Sequence, residues 1–291
     1  LISRTIPFLI IAAILLTVFI LSERLYSMRG LISMKMGKPE QAAELFLRTI
    51  ERDPDNAYAY YHRARALRQV NRLDQAAGAA EAVVRLMPEF ADAYALLSDI
   101  RRIKGDHEAA VTAGEMAVKY SSSNSHFHYL HGLALLSAGR PGRAAAAFAQ
   151  ALALEPDNPY ARYKLGMAYM RQNLHYQAVR QFSMAVRQKP DDPFFQYDLG
   201  RAHAAAGNVE MAERALSESV RINPDYYYAR YELGRISLRL EKIDAARRQF
   251  EEALRIDPNL PHARDALNSM KKTEENQSND EAVRKNNSLS K

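Results

Sequence analysis

The sequence predicts an all-α solenoid of about seven helix-turn-helix units, preceded by one transmembrane helix. Three observations predict it. Prolines fall at 54, 88, 156, 190, 224 and 258, with gaps of 34, 68, 34, 34 and 34 residues and Ser122 at the skipped site. A fixed period in this range marks an array of supersecondary units that bury one another's apolar faces. Alanine recurs in the same phase at 42, 76, 110, 144, 178, 212 and 246. Residues 6–21 read IPFLIIAAILLTVFIL without a charge.

The amino-terminal stretch comes first. With Thr5 and Ser22 it reaches about eighteen residues, near the lower limit for a helix that spans a bilayer. A cleaved leader would want small residues at its end, and Leu21-Ser22-Glu23-Arg24-Leu25 offers a poor match. Residues 1–22 are therefore expected to be an uncleaved anchor. Arg24, Arg29, Lys35 and Lys38 after the span outnumber Arg4 before it, so the charge count leans towards a cytoplasmic solenoid.

The repeat follows. With the periodic proline as position 32, the units are 23–56, 57–90, 91–124, 125–158, 159–192, 193–226 and 227–260. Position 8 is always small: Gly30, Ala64, Ser98, Gly132, Gly166, Gly200 and Gly234. Together with the alanine at position 20, this predicts two helices crossing closely at that point. Gly37, Gly105, Gly139 and Gly207 at position 15 suit a helix end that needs a left-handed residue. Pro39 and Pro141 at position 17 can open a second helix, where a missing N–H costs little. Asn56, Asp157, Asp191 and Asp225 read as helix caps. Residues 261–272 can cap the last unit through Ala263, Leu267 and Met270, and the polar stretch 273–291 is expected to be disordered.

The pattern resembles the tetratricopeptide repeat (TPR). The fullest match is Leu165-Gly166, Tyr169, Ala178, Phe182 and Pro190; Leu233-Gly234, Ala246, Phe250 and Pro258 repeat it. Two units depart, with Ala80 and Gly114 where a large apolar residue is expected at position 24. Those gaps predict that the array is softest near residues 75–125. The resemblance implies a right-handed solenoid whose concave groove is lined by positions 2, 5, 6, 9, 12 and 13 of each first helix. It carries the candidate partner-binding residues Tyr58, Tyr61, Arg65, Tyr129, Tyr160, Tyr163, Lys164, Arg171, Phe194, Tyr197, Arg201, Tyr228, Tyr231, Arg235 and Arg239 onto that groove. Tyrosine and arginine dominate binding energy in protein interfaces. The competing view is that the position-5 tyrosines only pack between neighbouring first helices. The family's clamp for chaperone-tail carboxylates wants Lys at position 5 and Asn at position 9. Here position 5 is mostly Tyr, and position 9 is mainly Arg or apolar.

Composition sets the remaining expectations. The chain has 291 residues and no cysteine, so disulfides, thiolate metal sites and a catalytic thiol are excluded. Its net charge of +6 is diffuse, and nucleic acid is a disfavoured partner. His126, His128 and His131 are the one metal-like cluster, and packed histidines are the favoured reading of them. No catalytic motif appears, and the repeats leave no segment for a catalytic domain. No catalytic, cofactor or metal residue is assigned. The sequence is thus read as a membrane-anchored scaffold or assembly factor that is not an enzyme and grips a protein or extended peptide of acidic and apolar character. The resemblance suggests the bacterial inner membrane. Alternatives are a non-catalytic subunit of an enzyme complex, a basic helical-repeat nucleic-acid binder, and self-association.

Overall fold

The computed structural model describes residues 25–289. These residues are all-α, and no strand occurs among them. The chain divides between Pro156 and Asp157 into two compact units. The first holds α1 (25–35), α2 (Pro39–Arg52), α3 (Ala57–Gln69), α4 (Leu73–Leu86), α5 (Ala91–Lys104), α6 (His107–Tyr120), α7 (Ser125–Ser137) and α8 (Pro141–Leu154). The second holds α9 (Pro159–Met170), α10 (His175–Gln188), α11 (Pro193–Ala205), α12 (Val209–Ile222), α13 (Tyr227–Arg239), α14 (Ile243–Ile256) and α15 (Pro261–Leu289).

Within each unit a helix packs on its chain neighbours, and alternate helices also meet, α3 with α5, α5 with α7 and α11 with α13. This is the connectivity of a solenoid, where each hairpin is covered by the next. The odd-numbered helices carry positions 1–14 of the repeat, and the even-numbered ones carry its second half.

The crossing inferred from small residues is built from side-chain volume. The alanines at 42, 76, 110, 144, 178, 212 and 246 are all wholly buried. Position 8 faces position 24 of the same hairpin. A Cβ on Gly166 would stand 2.7 Å from the Phe182 ring, and one on Gly234 2.7 Å from Phe250. Gly132 faces Phe148, Gly30 faces Phe46 and Gly200 faces Leu216 in the same way. The two departing hairpins exchange volume between the partners. Ala64 and Ala80 are both buried, while Ser98 stands against Gly114 and donates from Oγ to the Ala110 carbonyl at 2.8 Å. The absence of a large residue at 80 and 114 is thus partly filled from position 8.

The turns within the hairpins need one left-handed residue each. Gly37, Gly105, Gly139 and Gly207 supply it, with φ between +68° and +90°. Asn71, Asn173 and Glu241 take the same place at φ +59°, +59° and +58°. Asparagine tolerates this region and glutamate does so at a cost.

Three features differ from expectation. The caps of α9 and α11 are Asn158 and Asp192, each one residue after the expected Asp157 and Asp191. Proline occupies the first helical position there, so the capping oxygen must come from the residue just before it. Asn56 does cap α3, accepting from the Ala59 N–H, whereas α13 starts after Tyr226 and takes no side-chain cap from Asp225. The helix opened by Pro261 also runs on to Leu289, through the stretch expected to be disordered. No glycine or proline lies between His262 and Leu289, so no backbone breaker stops it.

The membrane placement is corrected as well. Among the described residues no helix is long and apolar enough to cross a membrane. A single-pass protein of the bacterial inner membrane is therefore not supported. The expected anchor, residues 1–22, lies outside the described residues.

Candidate functional site

The 157–291 unit carries eleven of the fifteen candidate residues, ten on the first helices α9, α11 and α13 and Arg171 just past the end of α9. Those at position 2 are open to solvent: Tyr160 is 50% exposed, Phe194 53% and Tyr228 46%. The position-5 tyrosines are half-buried wedges. Tyr163 stacks on Phe195 with centroids 4.6 Å apart, and its other side meets Phe182 at 5.5 Å. Tyr197 packs on Tyr226 at 5.1 Å, and Tyr231 on Phe250 at 5.9 Å. Phe194 joins the same cluster through Tyr226 at 5.1 Å. The position-5 rings therefore hold hairpins together, and the position-2 rings present apolar area.

Charge is arranged around these rings. Tyr163 donates its hydroxyl to Asp198 Oδ2 at 2.5 Å, and Arg201 Nη1 donates to Asp198 Oδ1 at 3.2 Å. Burial pushes the Asp198 carboxyl above its ordinary range, against the lowering effect of Tyr163 and Arg201. Burial also raises Tyr163, reinforced by the charge of Asp198 and the hydrogen bond to it. Tyr197 is pushed up to about 12, again mainly by burial. The guanidinium of Arg201 lies 5.5 Å from the Tyr197 ring, and that of Arg235 5.9 Å from the Tyr231 ring. Arg235 pairs with Glu232 at 3.0 Å. Lys164 lies over the Tyr163 ring at 5.3 Å, and Lys189 donates to the Tyr160 hydroxyl at 2.6 Å.

Between α9, α11 and α13 lies a recess of about 260 Å³, lined by Met170, Ala204, Ala205 and Ile236 and bounded by Arg201, Glu232, Arg235 and Arg239. Arg171 closes the end of α9 and lies outside that lining.

The 1–156 unit carries the other four candidates. Tyr61, Arg65 and Tyr129 border a recess of about 610 Å³ between α3, α5 and α7, and Tyr58 stands exposed beside Phe90 at 5.9 Å. Sequence reasoning missed the carboxylates here. Asp99, at position 9, is 7% exposed and accepts from both Arg68 and Arg102, the latter at 2.6 Å. It pairs with two of the three arginines that line its recess. Asp198 and Glu232 were missed too, although each sits three residues before its arginine, a spacing that brings helical side chains together.

The histidine cluster is dispersed among different environments. His126 is exposed, His128 Nε2 lies 2.8 Å from the Ser122 carbonyl oxygen, and His131 is half-buried with burial lowering its pKa. Among the described residues no group of three potential metal ligands comes together.

The tetratricopeptide-repeat family model matches residues 27–86, 63–125, 129–193 and 197–261. The chain belongs to the tetratricopeptide repeat family. No curated protein matches it. Among solved structures it is similar to YrrB, described as a TPR protein with an unusual peptide-binding site. That likeness has 25% identity and a TM-score of 0.56, and covers 69% of this chain and all of that one. The C-terminal part of a TPR protein from Cytophaga hutchinsonii is similar at 18% identity and a TM-score of 0.67, over 83% of this chain and 99% of that one. MamA from Desulfovibrio magneticus is similar at 22% identity and a TM-score of 0.55, over 58% of this chain and 96% of that one. The last two likenesses establish the fold alone.

Proposed function

We propose that this protein is a non-catalytic scaffold that binds an extended segment of a partner protein on the face formed by α9, α11 and α13. The array is read as seven 34-residue hairpins over 23–260, a phase supported by the left-handed residue at position 15 of each turn. The observation that carries the functional reading is that the first turns of α9, α11 and α13 expose the rings of Tyr160, Phe194 and Tyr228, and that later turns of α11 and α13 carry arginines 201, 235 and 239 around a recess. Exposed apolar surface rimmed by polar groups is characteristic of interaction sites. Flat rings give contact area at low entropic cost, and arginine adds directed hydrogen bonds. The peptide-binding site described for YrrB supports the same use of the fold.

Selection of random peptides displayed on phage against the full chain tests this reading. Binders should lose affinity by tenfold or more when Tyr160, Phe194 and Tyr228 are replaced together by alanine. Binders indifferent to that variant would end the proposal.

A further inference from the structure

The recess between α9, α11 and α13 has an unbalanced lining. Arg201 is paired with Asp198 and Arg235 with Glu232. Arg239 is different. Its Nη1 donates to the Ala204 carbonyl at 3.3 Å, and it makes no ion pair among the described residues. Three guanidinium groups thus border a floor of Met170, Ala204, Ala205 and Ile236, two of them held by Asp198 and Glu232 and the third, that of Arg239, by no carboxylate among the described residues. A guanidinium has five N–H donors in a planar fork suited to a carboxylate, and the bond to Ala204 engages only one of the Arg239 nitrogens.

The other recess shows what such a lining does with a carboxylate. There Asp99 stands at position 9 of its helix and accepts from Arg68 and Arg102, at position 12 of the preceding helix and of its own. In the recess of α9, α11 and α13, position 9 is Arg201 on α11 and Arg235 on α13 rather than an acid, and once these pair with Asp198 and Glu232 the guanidinium of Arg239 is left without a carboxylate among the described residues. The apolar floor lowers the local dielectric and strengthens any pairing made there.

We infer that this recess is a subsite for a carboxylate side chain of the bound segment, with Arg239 as its principal donor and Arg201 and Arg235 at its rim. The partner segment is therefore acidic, with an aspartate or glutamate some residues along from those that meet the exposed rings. This rests on the reading that the α9, α11 and α13 face binds a partner. It differs from the family's chaperone-tail clamp, because no lysine or asparagine of that clamp takes part.

The probe is the set of phage-selected peptides and their synthetic copies in which each Asp or Glu becomes Asn or Gln. Calorimetry would measure them on the full chain, on Arg239→Gln and Arg239→Lys, and on Arg214→Gln of α12 as a distant exposed control. The selected set should be enriched in acids. One amide replacement should weaken binding to the unaltered chain about tenfold. On Arg239→Gln the acidic peptide and its amide should bind alike, while Arg239→Lys keeps part of the preference and Arg214→Gln keeps all of it. No binder, no acidic enrichment, or an acidic preference that survives Arg239→Gln would overturn the subsite. If removal of the three rings releases the peptides while Arg239→Gln leaves the acidic preference intact, the binding face stands and the subsite alone fails. Indifference to both variants defeats both readings.

Discussion

Gly166 and Phe182 fill one space between them: the ring of Phe182 lies where a side chain on residue 166 would begin, its Cε1 2.7 Å from that Cβ position. The ring is almost wholly buried and cannot swing aside. Gly166→Ala should therefore destabilise the protein by about 1–2 kcal/mol, overpacking outweighing the helix propensity gained. Combining it with Phe182→Ala, which imitates Ala64 and Ala80, should lose less than the sum of the single changes. Urea unfolding of the four proteins measures this coupling.

Glu241 holds a left-handed backbone conformation at φ +58° where four other hairpins have glycine. The residue is exposed. Glu241→Gly should raise stability by about 0.5–1 kcal/mol, because strain relief exceeds the entropy that glycine adds to the unfolded chain. A thermal melt that shifts downward would show that the strain is absent.

Asp198 should make stability fall as pH rises. Its folded pKa lies above the unfolded value near 4, because burial outweighs its hydrogen bonds. The folded state therefore binds the proton more tightly. That contribution is complete below the unfolded pKa and is lost as pH rises through the folded one. Asp198→Asn keeps an acceptor for Tyr163 and carries no charge. Urea midpoints measured from pH 4 to pH 7 should decline less in the variant than in the unaltered protein.

Asp99 joins two arginines, Arg68 and Arg102, through one carboxylate. Asp99→Ala leaves Arg68 and Arg102 facing each other across the recess. A loss of about 1–3 kcal/mol is expected, less than for a fully enclosed pair, since both arginines are partly open to water. A change below about 0.5 kcal/mol, as at an ordinary surface site, would contradict this.

The softness expected near residues 75–125 now has a structural form. The buried side of α4 is Ala76, Ala77, Ala79, Ala80, Ala82 and Val83, which bury little area per residue. Hydrogen exchange should be faster in α4 and α6 than in α8, whose crossing carries Phe148. Slower exchange there would mean that the volume supplied by Ala64 and Ser98 restores the junction fully.

The repeat phase was legible because proline, glycine and alanine act through the backbone, and their positions register directly as turns and close approaches. What position 8 packs against was not legible. The complementarity of Gly166 with Phe182, or of Ser98 with Gly114, joins two positions sixteen residues apart across a helix crossing. The rings were found by their phase, but their division of labour was hidden. Whether Tyr163 binds a partner or wedges against Phe195 depends on the neighbouring hairpin. The pairing of Arg201 with Asp198 and of Arg235 with Glu232 could have been read from helical spacing. The helix through 273–289 could not, because its polar composition carries no periodic apolar signal.

The most direct test of partner binding on α9, α11 and α13 is a hydrogen-exchange footprint of the full chain with a selected acidic peptide bound. Protection should concentrate in residues 159–170, 193–205 and 227–239 and be lost when Tyr160, Phe194 and Tyr228 are replaced together by alanine. Protection confined to α10, α12 and α14 would contradict the account.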